Sequence, residues 1–248
     1  MNTLQYFLRR IFVSIIVFFG VSIVIFCLAR LIPGDPARIA LGPFATDEMV
    51  EQLRETLHLN ESIFIQYGIF IEKLFQGDLG ISTYTKRPVI VDIVSYFPAT
   101  FELVLMSGLL MILIGMPLGI LSGKFKNSII DNVARLISLL GVVTPSFLWA
   151  IILMLIFAFW FPILPVSERM NEALDPPTLV TGLLLVDSLL EGNFKVFGDA
   201  FLHLILPGLA IALPAIGNVA RLTRTNLSDV YEKQYIEFAK SYSFSEYR

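Results

Sequence analysis

The chain has 248 residues, of which 56% are hydrophobic and 16% are charged, and its mean hydropathy is +0.75. A soluble domain of this size carries about 25% charged residues, so the composition excludes an ordinary soluble protein and indicates an integral membrane protein. The formal net charge of −3 leaves no basic surplus, and nucleic acid is therefore not an expected partner. The single cysteine, Cys27, lies inside an apolar run and is interpreted as a small packing residue.

Four apolar segments are long enough to cross a bilayer, which takes roughly 20 residues at a rise of 1.5 Å each. They comprise residues 11–32, 100–123, 136–161 and 201–220. Interior prolines predict kinks in the last three spans, and kinks occur both in bundles that open around a passage and in static bundles. A fifth run, 178–190, is too short and contains Asp187, so we expect an amphipathic segment outside the membrane, with Asp187 facing water. The predicted fold is an all-α integral membrane protein, a polytopic helix bundle.

Lysine and arginine predict the orientation of the spans, because basic residues gather in the short cytoplasmic segments. The basic residues near the ends of the spans are Arg9, Arg10, Lys124, Lys126, Arg135, Arg221 and Arg224. Residues 33–99 and 162–200 instead hold more acids than bases. We therefore predict that residues 1–10, 124–135 and 221–248 are cytoplasmic, and that 33–99 and 162–200 lie outside.

The outer 33–99 region has the pattern of several short helices. Thr46 is a predicted N-cap, with Asp47 and Glu48 in the first turn of its helix. A second helix is predicted over 63–75, a glycine turn follows, and a third short helix is predicted from Pro88 toward Phe97. The region is either a solvated loop packed over the membrane helices or a cap that contacts an external partner. In the second case, the candidate docking residues are Asp47, Glu48 and Glu51.

The sequence contains no motif for catalysis, metal binding or phosphate binding: GxSxG, HExxH, CxxC and Walker-type loops are all missing. We therefore predict no catalytic residue, no metal and no cofactor, and we expect ATP to be hydrolysed by another subunit. His203 is interpreted as a packed imidazole in preference to a ligand. Glu102 is interpreted as a residue of the first helical turn of the second span, behind a Thr100 cap, in preference to a substrate contact.

Two further stretches hold candidate functional residues. The possible pathway-lining residues of the third span are Thr144, Ser146 and Trp149, although helix packing explains Trp149 equally well. In the tail, Leu227, Val230, Tyr231 and Phe238 recur at helical spacing between charged residues. Such a helix can lie in a groove of a soluble partner. The alternative is a helix that rests on the membrane surface, which the mixed charge disfavours.

Several stretches resemble one family of membrane proteins. They are LRRIFVSIIVFFGVSIVIFCLARLIPGDPA from residue 8, LFQGDLGIS from 74, PATFELVLMS from 98, IGMPLGILSG from 114, ISLLGVVTPSFLWAIILMLIF from 137, LPGLAIALPAIGNVARLTRTNLSDV from 206 and QYIEFAKSYSFSEYR from 234. On these residues the chain resembles a permease subunit of binding-protein-dependent ABC importers, in the oligopeptide, dipeptide and nickel class. The elements RLIPGDP and GDLG are specific to this class.

The resemblance implies a multi-pass protein of the plasma (inner) membrane with six spans. It implies a second permease subunit, two ATPase subunits and an extracytoplasmic solute-binding protein as partners, besides membrane lipid. It also implies that 221–248 is the segment that couples to the ATPase. The coupling residues that it adds are Tyr235, Glu237, Ala239, Ser243 and Glu246.

The chain departs from the family pattern in two ways. Ser243 stands where the family has a glycine, which could cost about 1 kcal/mol if the turn needs a positive φ. The last two spans of the family pattern and the rest of the coupling loop are missing, so this form is expected to insert without supporting uptake. A transport subunit for peptides is the preferred interpretation. A non-transporting remnant or membrane scaffold, and a permease for nickel or another non-peptide solute, remain alternatives.

Overall fold

The computed structural model describes residues 3–31, 34–82, 84–234, 236 and 238. The α-helices of this part of the chain are α1 (Thr3–Leu31), α2 (Pro36–Leu41), α3 (Asp47–Thr56), α4 (Ile63–Phe75), α5 (Val89–Lys124), α6 (Ile129–Val143), α7 (Ser146–Met154), α8 (Leu184–Leu190) and α9 (Phe194–Tyr231). Within the described residues there is no strand, and Ile81 and Pro88 form an isolated bridge. The predicted all-α class is confirmed. The chain divides into two compact units, Met1–Val94 and Ser95–Arg248.

Three helices of the described part are long and apolar enough to cross a membrane. They are Thr3–Leu28 within α1, Val89–Lys124 and Phe194–Tyr231. A fourth crossing exists if α6 and the helix that follows it form one span. The polytopic helical architecture predicted from the sequence is thereby confirmed, with three or four spans in this part of the chain.

The predicted third span, 136–161, is not one continuous helix. The chain bends by 110° between Ile129–Val143 and Ser146–Trp160, whose last six residues, Leu155–Trp160, are π-helical. The break lies at Pro145, which cannot donate a backbone hydrogen bond and disfavours the helical conformation of the residue before it. Thr144 is accordingly extended, with φ −83° and ψ 124°. The expected kink is therefore a break, and α6 begins at Ile129 instead of near residue 136.

The first unit contains α1 to α4. Thr46 accepts a hydrogen bond from the Met49 N–H at 3.3 Å, which confirms the predicted N-cap of α3, and α4 has the predicted bounds. α4 lies against α1, where the Ser22 and Tyr67 hydroxyls are 2.8 Å apart and the Phe26 and Tyr67 rings are 5.4 Å apart. The predicted short helix after Pro88 is the beginning of the long helix α5.

In the second unit, α9 packs against α6, α7 and α8, and its small residues allow very close contact with α5 and α6. A Cβ atom on Gly217 would lie 2.4 Å from the Ser138 carbonyl oxygen of α6. A Cβ atom on Gly119 of α5 would lie 2.6 Å from the Ala220 carbonyl oxygen of α9. Only glycine fits at these two positions without moving the helices apart. The three helices therefore meet nearly backbone to backbone at the end of the bundle where Arg221 and Arg224 lie.

Candidate functional site

A buried ion pair between α6 and α9, with a hydrogen bond from α5, joins the three helices at the end of the bundle where Arg221 and Arg224 lie. The Asp131 carboxylate, at the start of α6, is fully buried. Arg224 of α9 donates two hydrogen bonds to it, from Nε to Oδ1 at 2.6 Å and from Nη2 to Oδ2 at 2.7 Å. Ser122 of α5 donates to Oδ1 at 2.6 Å, and the Asn127 N–H donates to Oδ2 at 3.0 Å. We call these four residues the Asp131 cluster.

Local sequence positions the carboxylate in this cluster. Ser128 caps α6 by accepting a hydrogen bond from the Asp131 N–H at 3.2 Å, which places Asp131 in the first turn of the helix. Asn127 has φ +62°, so the chain turns sharply and its N–H faces the carboxylate. In the sequence, Arg224 was used only as a basic residue near the end of a span, and Asp131 was assigned no role. The signal for a pair was one acid inside a short basic loop, but that signal does not name its partner.

The cluster fixes where the tail leaves the bundle. A bidentate bond between a guanidinium and a carboxylate sets the relative orientation of its two helices as well as their distance. Removing one member of a buried pair usually costs about 3–5 kcal/mol, because the other charge stays buried without a partner. The last turns of α9 are thus held against both α5 and α6.

A second, exposed ion pair lies directly at the end of α9, where Glu232 follows its last residue. The Lys126 ammonium, between α5 and α6, donates to the Glu232 carboxylate. This hydrogen bond, together with the lysine's charge, lowers the pKa of the Glu232 carboxyl below its usual value. Because both side chains are exposed, the pair contributes little to stability. It nevertheless restrains the tail on the same side of the bundle as the Asp131 cluster.

The predicted coupling residues fall into two groups. Leu227 is half-buried, and its side chain approaches Gly123 of α5 so closely that a Cβ atom there would lie 3.0 Å from it. Val230 is 39% exposed and Phe238 is 63% exposed, while Tyr231 is half-buried. The structure therefore places Leu227 within the bundle and leaves Val230 and Phe238 accessible. The other predicted residues, Tyr235, Glu237, Ala239, Ser243 and Glu246, lie outside the described residues.

Glu102 does not lie in a first helical turn behind a Thr100 cap, as the sequence suggested. It lies well inside α5, which begins at Val89, and it is buried. Its carboxylate accepts a hydrogen bond from Arg169 at 2.9 Å and another from the Leu185 N–H at 2.6 Å. The Thr100 hydroxyl donates to the Tyr96 carbonyl and does not cap a helix. The capping prediction was wrong because α5 extends eleven residues upstream of position 100, so that Glu102 meets the 162–200 connection.

Asp187 does not face water. It is 1% exposed, and it accepts hydrogen bonds from the Thr181 hydroxyl at 2.7 Å and from the Thr181 and Gly182 N–H groups at 2.8 and 2.9 Å. Burial by itself would raise the pKa of this carboxyl, but the hydrogen bonds from Thr181, Gly182 and Val180 outweigh it, and the pKa lies below its usual value. The sequence prediction failed because a loop that folds back onto an acid leaves no local pattern. His203, by contrast, is packed as predicted, with its Nδ1 2.8 Å from the Asp199 carbonyl oxygen.

The candidate pathway residues surround the break at Pro145. Thr144 is half-buried, Ser146 is exposed, and Trp149 packs against a core cluster formed by Leu153, Leu206 and Ala210. The Trp149 indole nitrogen is buried and has no hydrogen-bond partner within the described residues. The structure thus brings the three residues together at the junction of α6, α7 and α9. Whether they line a passage stays a prediction.

The candidate docking residues share α3. Asp47 is 92% exposed and forms an ion pair with Arg38, while Glu51 is paired with Arg54 at 2.8 Å. Glu48 is exposed. Arg54 also binds Asp35 at 2.7 Å. Burial by itself would raise the pKa of the Asp35 carboxyl, but the hydrogen bonds from Arg54 and from the Ala37 N–H outweigh burial and lower the pKa. The acids therefore belong to a charged surface that contains arginines, which a docking partner would meet as a mixed pattern.

Comparisons with known proteins assign the family. The model of binding-protein-dependent transport system inner membrane components matches residues 115–248, and the model of the amino-terminal part of such components matches residues 3–104. A probable D,D-dipeptide transport system permease protein, DdpB of Escherichia coli K12, is 41% identical over 94% of this chain and 68% of its own length. The dipeptide transport system permease protein DppB of Alkalihalophilus pseudofirmus is 37% identical over 94% of this chain and 70% of its own. The di/tripeptide transport system permease protein DppB of Pseudomonas aeruginosa is 33% identical over 98% and 72%.

The family matches and the apolar helices agree with one another. The two family models together cover nearly the whole chain, and the helices that can cross a membrane occur in both matched regions. The chain is thus a multi-pass protein of the inner membrane, and its relatives are transport subunits. It belongs to the family of inner-membrane permease components of binding-protein-dependent transport systems, as the sequence motifs predicted.

Proposed function

We propose that this chain forms part of the translocation pathway of an ATP-driven importer for peptides, and that segment 221–248 couples it to ATPase subunits. The observation that carries the proposal is helix α9. It runs from Phe194 to Tyr231 without interruption, so one element connects the predicted outer side, the apolar bundle and the start of the tail.

The length of α9 suits the transmission of movement. A helix of 38 residues is about 57 Å long at 1.5 Å per residue, which exceeds the roughly 30 Å of the hydrocarbon core. A force applied near Val230 would move the whole helix together with α6, because Arg224 and Asp131 hold the two helices in one orientation. The junction near Trp149 would then move as well, since α7 packs on α9. In this way the tail would open or close a passage at the break.

The proposed partners are those that the family implies. A second permease subunit would complete the passage, two ATPase subunits would bind the tail, and a solute-binding protein would deliver cargo from outside. The relatives are described as permeases for D,D-dipeptides, dipeptides and di/tripeptides, which favours peptide over nickel as the cargo. The amino terminus and the tail would face the cytoplasm.

The outer docking site is proposed on α3. The acids Asp47, Glu48 and Glu51 are exposed on this short helix, and rim charges affect association rate and salt dependence more than folding. Reversal of all three to lysine is expected to weaken association of the solute-binding protein while membrane insertion is unchanged. Unchanged association would place the docking surface elsewhere.

The coupling proposal is tested by co-purification of the ATPase subunits with tagged permease from membranes. Val230→Asp and Phe238→Asp place a charge on accessible apolar side chains and are expected to reduce recovery of the ATPase at least tenfold, since buried apolar anchors dominate most interfaces. Phe44→Asp is the matched control, because Phe44 is 98% exposed in the outer region and the change of residue is the same. Equal ATPase recovery with all three variants would contradict the proposed coupling segment.

A further inference from the structure

A cavity of about 390 Å³ opens between α6 and α9 next to the Asp131 cluster. Three arginines line it: Arg135 of α6, and Arg221 and Arg224 of α9. The remainder of its wall is made by small and apolar residues, among them Ala134, Leu139, Val142 and Ala220. We call this cavity the arginine pocket. Its volume lies in the range of about 300–1,000 Å³ that is usual for small-molecule sites.

The pocket carries an excess of positive charge. The one carboxylate in contact with these arginines within the described part of the chain is that of Asp131, and Arg224 occupies both of its oxygens. Arg135 lies farther off, with its Nε 3.7 Å from Oδ1. Arg221 forms no ion pair within the described residues, so Asp131 balances one of the three positive charges of the pocket and two remain.

The two outer arginines are held by neutral groups. Arg221 donates to the Asn218 amide oxygen at 3.0 Å, and Arg135 donates to the Asn132 amide oxygen. Each amide lies three residues earlier on the same helix. These bonds orient the guanidinium groups without neutralising them, so most of their N–H donors are left for another acceptor. Guanidinium groups bind phosphate oxygens in the same bidentate way as carboxylates.

Farther along α6, the wall of the pocket favours the apolar part of a ligand. Leu139 is 59% exposed and Val142 is 38% exposed, on the surface of α6 that continues away from the arginines. Ser138, a polar residue that also lines the pocket, donates its hydroxyl to the Ala134 carbonyl of its own helix at 2.8 Å. The site therefore offers two cationic groups at one end and an apolar face at the other.

We propose that the arginine pocket binds an anionic phospholipid, with its phosphate between Arg135 and Arg221 and an acyl chain along Leu139 and Val142. Basic pockets between membrane helices on the cytoplasmic side are suited to anionic lipid head groups. Such a lipid bridges α6 and α9 beside the Asp131 cluster, so it braces the same junction that orients the tail. The proposal does not depend on which solute is transported.

The test measures lipid binding to the purified full chain by native mass spectrometry in detergent, with short-chain phosphatidylglycerol and phosphatidylcholine as probes. Phosphatidylglycerol is expected to bind at least tenfold more tightly than phosphatidylcholine. Arg135→Gln and Arg221→Gln are each expected to weaken phosphatidylglycerol binding about fivefold, and the double variant about 25-fold, as expected for basic residues at a membrane surface. Lys126→Gln/Lys233→Gln is the matched double control, because it removes the same charge from the tail end of the bundle outside the pocket.

Two soluble probes distinguish a site for a lipid phosphate from a site for a free phosphate. Glycerol phosphate and inorganic phosphate are expected not to displace the lipid at the concentrations at which phosphatidylglycerol saturates the site. Displacement by either at these concentrations would show a site for a soluble anion and overturn the lipid proposal, as would displacement by a dipeptide. Equal binding of the two lipids, or equal losses in the pocket and control variants, would also overturn it.

Discussion

Removing the Asp131 carboxylate is expected to destabilise the second unit far more than removing any exposed charge. Asp131→Asn preserves the size of the side chain but leaves the Arg224 guanidinium, which is 20% exposed, without its counter-ion. Breaking one partner of a buried pair costs about 3–5 kcal/mol. Since 1 kcal/mol shifts the Tm by about 2–4 °C for a chain of this size, the expected decrease is about 6–20 °C. The assay is thermal unfolding of the detergent-purified chain.

A double variant separates loss of the pair from loss of packing. When both charges are replaced by apolar residues, as in Asp131→Leu/Arg224→Met, no uncompensated charge stays buried, and the Tm is expected to recover by more than half of the loss in Asp131→Asn. Lys126→Gln breaks the exposed pair and is the control, with an expected shift below about 2 °C. If Asp131→Asn shifted the Tm no more than Lys126→Gln, the assignment of Asp131 and Arg224 as the junction that holds α9 would be refuted.

Three further predictions test separate parts of the structure. Gly217→Ala is expected to lower the free energy of unfolding by about 1–3 kcal/mol, because the added methyl group would lie 2.4 Å from a carbonyl oxygen of α6. Gly198→Ala, on the same helix but with open space around it, is expected to be neutral or stabilising in the same unfolding assay. Because the pKa of Asp187 is lowered in the folded protein, the stabilisation by its carboxylate is present above about pH 4, the usual pKa of an unfolded aspartate, and is lost as the pH falls through the lower folded value. The Tm difference between wild type and Asp187→Asn is therefore expected to shrink on acidification. A constant difference would contradict this. Cysteines placed near Asp47 and Glu168, in a chain without Cys27, are expected to react with an impermeant thiol reagent on intact cells, while one near Asn127 is not, and labelling near Asn127 would overturn the topology.

Local signals predicted the parts of the fold that depend on neighbouring residues. The Thr46 cap and the apolar spacing over 63–75 gave α3 and α4, and the helices that can cross the membrane follow from long apolar runs. Pro145 predicted a distortion, but the angle of 110° depends on what α6 and α7 pack against. A local pattern therefore gives the position of a break and not its geometry.

The polar contacts of the second unit could not be predicted in the same way. Asp131 and Arg224 are 93 positions apart, and Glu102 and Arg169 are 67 apart, so the sequence near each residue contains no trace of its partner. Neighbouring residues alone predicted that Glu102 lies in a first helical turn and that Asp187 faces water. Both residues are buried, and their roles depend on contacts with distant parts of the chain or with a folded-back loop. These contacts form only after the helices have packed.

The proposed contact between an ATPase and the tail beyond the Asp131 cluster is tested by site-specific crosslinking in membranes that contain the partner subunits. A photoreactive amino acid would replace Val230 or Phe238, and in a parallel sample Phe44, which is also exposed but lies in the region predicted to be outside. Crosslinks to an ATPase subunit are expected from positions 230 and 238, and none from position 44. No ATPase adduct from either tail position, with the subunits present in the same membranes, would contradict the proposed contact.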